Sequence, residues 1–138
     1  MNFLLDTNVV SEWVKPRPNP GVMAWLAEVD EDRVFLSVVS LAEIAYGIEK
    51  MADGHRRKRL AQWLFQELPL RFERRVLSID AETAHAWGAT LAQCESIGRS
   101  INVMDAVLAA TAMVHDMTLV TRNSAHFHSV ESLLNPWS

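Results

Sequence analysis

Met1-Asn2-Phe3-Leu4-Leu5-Asp6-Thr7-Asn8-Val9-Val10 is the stretch whose reading decides the architecture. Phe3-Leu4-Leu5 reads as a short buried strand with Asp6 at its carboxyl end. A carboxylate placed there is costly unless it is paired, hydrogen-bonded or bound to a cation. Asp6 also suits the N-cap of a helical turn over residues 7–14. Taken alone, the residue allows either role.

Outward from this start, short apolar runs alternate with longer helical ones. Asn19-Pro20 is a helix start, with Asn as cap and Pro at the first position, and Val22, Trp25, Leu26 and Val29 share one face. Val34-Phe35-Leu36 is a second strand. Ser40 is expected to open a helix carrying Leu41, Ile44, Ala45, Ile48 and Met51 as one apolar stripe, ended by Asp53-Gly54. A helix over 56–68 is expected to stop at Pro69, and residues 75–79 make a third strand. Ala84, Trp87, Leu91 and Cys94 line a helix over 81–97, closed by Gly98. The helix over 103–115 is apolar nearly all round, so it is expected to be buried. Residues 118–121 form a fourth strand, and the tail with Val130, Leu133 and Leu134 adds a short strand or turn. Alternation of this kind implies crossover connections, hence a parallel sheet with helices on both faces. Ligands of such sheets bind beyond the carboxyl ends of the strands.

Composition narrows the function. The 138 residues, 49% hydrophobic and 22% charged, suit one globular domain over 1–138. No apolar run is long enough to span a bilayer, and the N-terminus lacks the basic region of a signal peptide, so the cytoplasm is the expected location. A single cysteine, Cys94, excludes an internal disulfide and a cysteine zinc cage, and is expected to be packed inside. The net charge of -4 does not suit a plain electrostatic nucleic-acid binder. Divalent cations would offset that charge, as would the local basic run His55-Arg56-Arg57-Lys58-Arg59. The same run suits the solvated start of a helix.

Three acids stand where the topology places ligands, each with an ordinary alternative. Glu43 falls away from its helix's apolar stripe, but Ser40-Leu41-Ala42-Glu43 has capping-box spacing. Asp105 suits the third position of a helix capped by Asn102, where the dipole favours an acid. That leaves unexplained why one charge is kept on a buried helix. Thr121-Arg122-Asn123 leaves the fourth strand with oxygen donors and a guanidinium that suits a phosphate. Hard oxygen donors without His or Cys suit Mg²⁺ or Mn²⁺. Cations so held activate water for attack on a phosphodiester. His126-Phe127-His128 lacks a third ligand for a transition metal and is expected on a surface strand or loop. Trp25, Trp63 and Trp87 sit at helical spacing among apolar residues, as core tryptophans do. Trp13 and Trp137 are flanked by polar or turn residues, which suits a dimer or partner surface.

Taken together, these motifs resemble those of a known family. Leu4-Leu5-Asp6-Thr7-Asn8 resembles the opening motif of PIN domains, Glu43 after the second strand their second acid, Met104-Asp105-Ala106 their third, and Val120-Thr121-Arg122-Asn123 with Phe127 their last motif. Ser11-Glu12, the Pro-rich loop and Asn135-Pro136-Trp137 are similar to the VapC/FitB-like branch, toxins of type II toxin–antitoxin systems. The resemblance implies a three-layer α/β/α fold with a mainly parallel central sheet of four to five strands. It implies a Mg²⁺-dependent, or Mn²⁺-dependent, endoribonuclease that forms homodimers and is inhibited by an antitoxin. That antitoxin often binds DNA, which would be the chain's only route to DNA. Carried over by position, Asp6, Glu43 and Asp105 are the catalytic and metal-binding acids. Asn123 stands where many relatives have a fourth acid, which implies one well-held ion, with a second only when substrate is present. Thr7 and Thr121 support the acids, and Arg122 or Arg99 holds a phosphate. The other reading is a weakly catalytic partner of a DNA-binding antitoxin on operator DNA. Receiver domains and haloacid-dehalogenase-like phosphatases need acid sets that Asp6-Thr7-Asn8 does not supply.

Overall fold

The computed structural model describes all of residues 1–138. Five parallel strands form one sheet in the order β3-β2-β1-β4-β5: β1 Phe3–Leu5, β2 Val34–Ser37, β3 Val76–Leu77, β4 Thr118–Val120 and β5 Leu133–Leu134. β1 is central, with Phe3 beside Val34 on one flank and Thr118 on the other. The chain spreads from β1 to β2 and β3 in one direction and places β4 and β5 in the other. Asp6 therefore ends the strand at which the order reverses, where open α/β sheets make their ligand crevice.

Alternate strand residues face opposite layers, as the two-residue period of a strand requires. Leu5, Leu36 and Val120 belong to a core with Val9 and Val10 of α1 (Thr7–Ser11), Val22 and Leu26 of α2 (Pro20–Glu28), and Ile44 and Ile48 of α3 (Val38–Glu49). Leu4 and Leu119 belong to a second core with Leu108, Ala109 and Ala112 of α7 (Val103–Val114). α6 (Ala81–Ser96) packs on α7, and Cys94 is buried there. Trp25 meets Phe3 edge-on at 5.2 Å, a core role as expected. No helix is long and apolar enough to cross a membrane.

Three helices differ from the sequence expectation. α3 starts at Val38, not after Ser40, because Ser37 Oγ accepts the Val39 N–H at 3.0 Å and caps it. Ser40 is then a buried interior residue, and the capping box with Glu43 does not exist. The helix expected to stop at Pro69 runs on. α4 (His55–Gln62) passes through a π-turn, residues 63–67, into α5 (Leu68–Phe72). Pro69 clashes with regular helix because it lacks an N–H and its ring meets the carbonyl four residues back. The widened turn, with Leu68 N–H bonded to Trp63 C=O, makes room for it. α7 is buried only from Ala106 to Ala112, while Val103, Met104 and Met113 are exposed. The third strand is also shorter than 75–79. It is paired only at Val76 and Leu77, and Arg75 instead donates to the Val34 carbonyl at 2.6 Å.

α6 and α7 end in the same hydrogen-bond pattern. At α6, Arg99 N–H reaches Cys94 C=O and Gly98 N–H reaches Glu95 C=O, with Gly98 at φ +71°. At α7, Met117 N–H reaches Ala112 C=O and Asp116 N–H reaches Met113 C=O, with Asp116 at φ +52°. Both are Schellman caps, but one places a side chain in the left-handed region. Asp116→Gly is therefore expected to raise stability by about 0.5–1 kcal/mol, and Gly98→Ala to lower it by about 1–2 kcal/mol. Urea unfolding of the two variants checks both signs.

Candidate active site at the sheet switch point

The site is built from the end of β1 outward. Asp6 is buried, 6% exposed, and three groups donate to it. Its Oδ1 accepts the Thr7 N–H at 2.7 Å, so the capping role is real. Its Oδ2 accepts the Thr121 hydroxyl at 2.7 Å and the Asn8 amide at 3.2 Å. Thr121 in turn accepts the Asn123 N–H at 3.0 Å, which ties the end of β4 to the end of β1. Burial outweighs these three hydrogen bonds and holds the Asp6 carboxyl above the usual carboxylate range.

Glu43 reaches the site across α1 and α3. Thr7 Oγ1 lies 2.7 Å from Glu43 Oε1 and 3.0 Å from Ser40 Oγ. A hydroxyl has one proton, so Thr7 donates it to the carboxylate and Ser40 donates in turn to Thr7. Ser40 is fully buried inside the helix, so it meets Thr7 instead of taking the capping role its sequence position suggests.

Asp105 enters from the first turn of α7. Asn102 caps that turn, accepting from Met104 N–H at 2.8 Å and Asp105 N–H at 3.4 Å. The capping expectation was right, and it does not compete with the site. The Asp105 carboxyl is also raised, first by burial, then by the charge of Asp6 and that of Glu43. Asp6 and Glu43, far from it in sequence, thus stand close enough for their charges to act on Asp105.

His126 joins them, with Nδ1 3.9 Å from Asp105 Oδ2. When charged it favours the ionised forms of both Asp105 and Asp6. Residues Ser124–Phe127 form a 3₁₀ turn, not a strand, so His126 and His128 separate. His126 faces the acids, Phe127 is buried, and His128 Nε2 lies 3.7 Å from Cys94 Sγ. The one sequence signal for His126 was its place just before Phe127 in the last motif.

The supporting residues divide. Thr7 and Thr121 hold the acids as expected. Arg99 lines a hollow of about 570 Å³ with Asp105 and His126 and pairs with no acid. Asn123 is exposed, and its side chain makes no hydrogen bond to the acids. Arg122 turns the other way, its guanidinium 5.6 Å from the Trp137 ring centre and its charge acting on the buried Glu12. Trp137 and Trp13 are both half-buried and packed against the core.

The donor set fits a hard divalent cation. Two carboxyls are raised, Asp6 by burial and Asp105 by burial and then by the charges of Asp6 and Glu43, which a cation would relieve. The buried Asn8 Oδ1 has no donor. No three His, Cys, Asp or Glu side chains converge tightly enough to hold an ion by themselves. That openness suits an ion that keeps several waters.

Comparison with known proteins agrees with this arrangement. Residues 3–133 match the family model described as PIN domain. Toxin FitB of Neisseria gonorrhoeae is 33% identical over 136 residues, 98% of each chain. VapC ribonuclease Y4jK of Sinorhizobium fredii is 32% identical over 136 residues, 98% of this chain and 97% of that one. The structure of FitAB bound to an IR36 DNA fragment superposes with a TM-score of 0.91 at 33% identity, covering 99% of this chain and 96% of that one. The three-layer parallel fold, its switch-point acids and these likenesses agree: the chain belongs to the PIN-domain family.

Proposed function

We propose that residues 1–138 act as one PIN domain, a metal-dependent endoribonuclease that is the toxin of a type II toxin–antitoxin pair. The observation that carries this reading is the group of Asp6, Glu43 and Asp105 at the switch point, with two carboxyls raised. The names of the relatives support it, one a VapC ribonuclease and one Toxin FitB. The expected partners are an RNA substrate, a DNA-binding antitoxin and a second copy of the chain, in the cytoplasm.

Asp6 and Asp105 would hold Mg²⁺ or Mn²⁺, with Glu43 beside them. Such an ion polarises a phosphoryl oxygen and makes a nearby water more acidic. Thr7 fixes Glu43 Oε1, which leaves Oε2 to orient the attacking water and receive its proton. The water oxygen bonds to phosphorus, the P–O bond opposite it breaks, and the leaving oxygen takes up a proton from solvent, to which Glu43 later returns the one it received. Thr121 keeps the Asp6 carboxylate aimed at the crevice. Asn123, exposed and neutral, suits a weaker role once substrate is present. A second reading, a weakly catalytic partner of an antitoxin on operator DNA, is favoured by Asn123 in place of a fourth acid. The relative FitAB solved with DNA also favours it.

Asp105→Asn separates these readings. Purified, antitoxin-free protein is expected to cut total cellular RNA in Mg²⁺, and the variant to lose more than about 100-fold, the loss typical of one removed electrostatic contact to a transition state. No cleavage by folded wild-type protein in Mg²⁺ or Mn²⁺ would favour the operator-bound reading.

The same variant has a stability signature. Asp105 is raised in the folded state, so its contribution is present below the ordinary carboxylate range and lost as pH rises through the folded value. At neutral pH the charge is a liability that Asn removes. Metal-free Asp105→Asn is expected to melt higher than wild type at pH 7.5, by roughly 4 °C per kcal/mol in a domain of this length. The difference should shrink toward pH 4. Asp6→Asn should behave differently, because three donors already point at Asp6 and an amide NH₂ would meet them.

Thr7→Val tests the tie to Glu43. Cleavage is expected to fall about 10-fold, near the 1.4 kcal/mol that one such hydrogen bond contributes to a charged group. Circular dichroism should be unchanged.

A further inference from the structure

Two adjoining hollows leave the acid cluster on the α4 side. One of about 250 Å³ is lined by Thr7, Glu43 and Gly47, and one of about 710 Å³ by Trp13, Arg59 and Arg71. Both are lined by Val14, Lys15, Arg56, Leu60 and Trp63, so they form one groove that begins at Glu43 and ends at Arg71.

Its outer part carries Lys15, Arg56, Arg59 and Arg71 against one acid, Glu67, so its charge is mainly cationic, and that charge is only partly used. Lys15 is paired with Glu12 at 2.5 Å and Arg71 with Glu31 at 2.6 Å. Arg57, on another face of α4, is held by Asp53, Glu49 and the Ile48 carbonyl. Arg56 and Arg59, three apart on the groove side of α4, pair with no acid. Arg56 stands in the first turn of that helix, which has no acid and no side-chain cap, so the dipole makes a cation unfavourable there. An anion lying between Arg56 and Arg59 would offset that cost. Two half-buried tryptophans line the same groove. Arg71 stacks on Trp13 at 4.0 Å, and the π-turn at residues 63–67 sets the position of Trp63.

We propose that this groove is the substrate track. A single-stranded RNA segment lies along it, phosphates on Arg56 and Arg59 and a base against Trp63, and so presents the next phosphodiester to Asp6, Glu43 and Asp105. Cations that follow a backbone and aromatics that accept any base are how single strands are held without sequence reading. The groove's opening onto Thr7 and Glu43 favours RNA over an acidic protein segment, which has no need to reach the acids. The proposal rests on the nuclease reading.

The test is fluorescence anisotropy with a labelled 12-nucleotide RNA of mixed sequence in EDTA, where no cleavage occurs. Arg56→Gln/Arg59→Gln is compared with Lys58→Gln, a change on the same helix outside the groove. The double variant should bind at least 10-fold more weakly in 0.1 M salt. Its slope of log affinity against log salt should fall by about 1.4, since each single-strand phosphate contact contributes about 0.7. Lys58→Gln should change neither. Unchanged affinity and slope in the double variant, with wild type binding and cutting RNA, would overturn the track and leave the nuclease standing. A loss confined to polyglutamate, with RNA binding kept, would assign the groove to an acidic protein segment and also overturn it. Wild-type protein that neither binds nor cuts RNA would remove both readings together.

Discussion

The structure depends on one buried carboxylate. Asp6 ends the central strand where the sheet order reverses, 6% exposed and with three donors turned toward it. Those donors come from α1 and from the end of β4, so satisfying Asp6 also joins the two halves of the sheet. Burying the charge remains costly even so, and the carboxyl stays raised. Asp105 and Glu43 bring more negative charge to the same place. A fold selected for stability alone would avoid this, and the proposed cation site accounts for it.

The rest of the charge is arranged around that choice. The chain is acidic overall, at -4, yet Arg99 and His126 flank Asp105, and Lys15, Arg56 and Arg59 stand along the groove beyond Glu43. Net charge alone argues against a nucleic-acid ligand, while the distribution of charge favours one. Burial of the acids and exposure of the arginines let both signs coexist on a chain this small.

Much of the fold was legible because apolar runs dictate it. Phe3-Leu4-Leu5, Val34-Phe35-Leu36 and the run after Ala106 have one way to be buried, and Asn19-Pro20 and Gly98 punctuate by backbone chemistry that needs no tertiary context. What was hidden depends on contacts between distant residues. Ser37, not Ser40, caps α3 because β2 delivers the chain one turn earlier, and that shift is what frees Glu43 for Thr7. Pro69 fails to stop its helix because a π-turn absorbs it. Arg122 looked like a phosphate ligand in the sequence, but its guanidinium lies toward Trp137, away from the acids. His126 was hidden because a 3₁₀ turn, rather than a strand, sets its direction. The acids were visible as residues out of place, and Thr7 and Thr121 through the motifs, while the parts played by Ser40 and His126 were not.

The central claim is that the acids form a cation site, and calorimetric titration of Mn²⁺ into metal-free protein at pH 5 and pH 7.5 tests it most directly. The account predicts saturable binding that is lost in Asp105→Asn, with protons released at pH 5, because the raised Asp6 and Asp105 carboxyls must ionise to bind. Binding unaltered by Asp105→Asn, or none in the folded wild type, would contradict it.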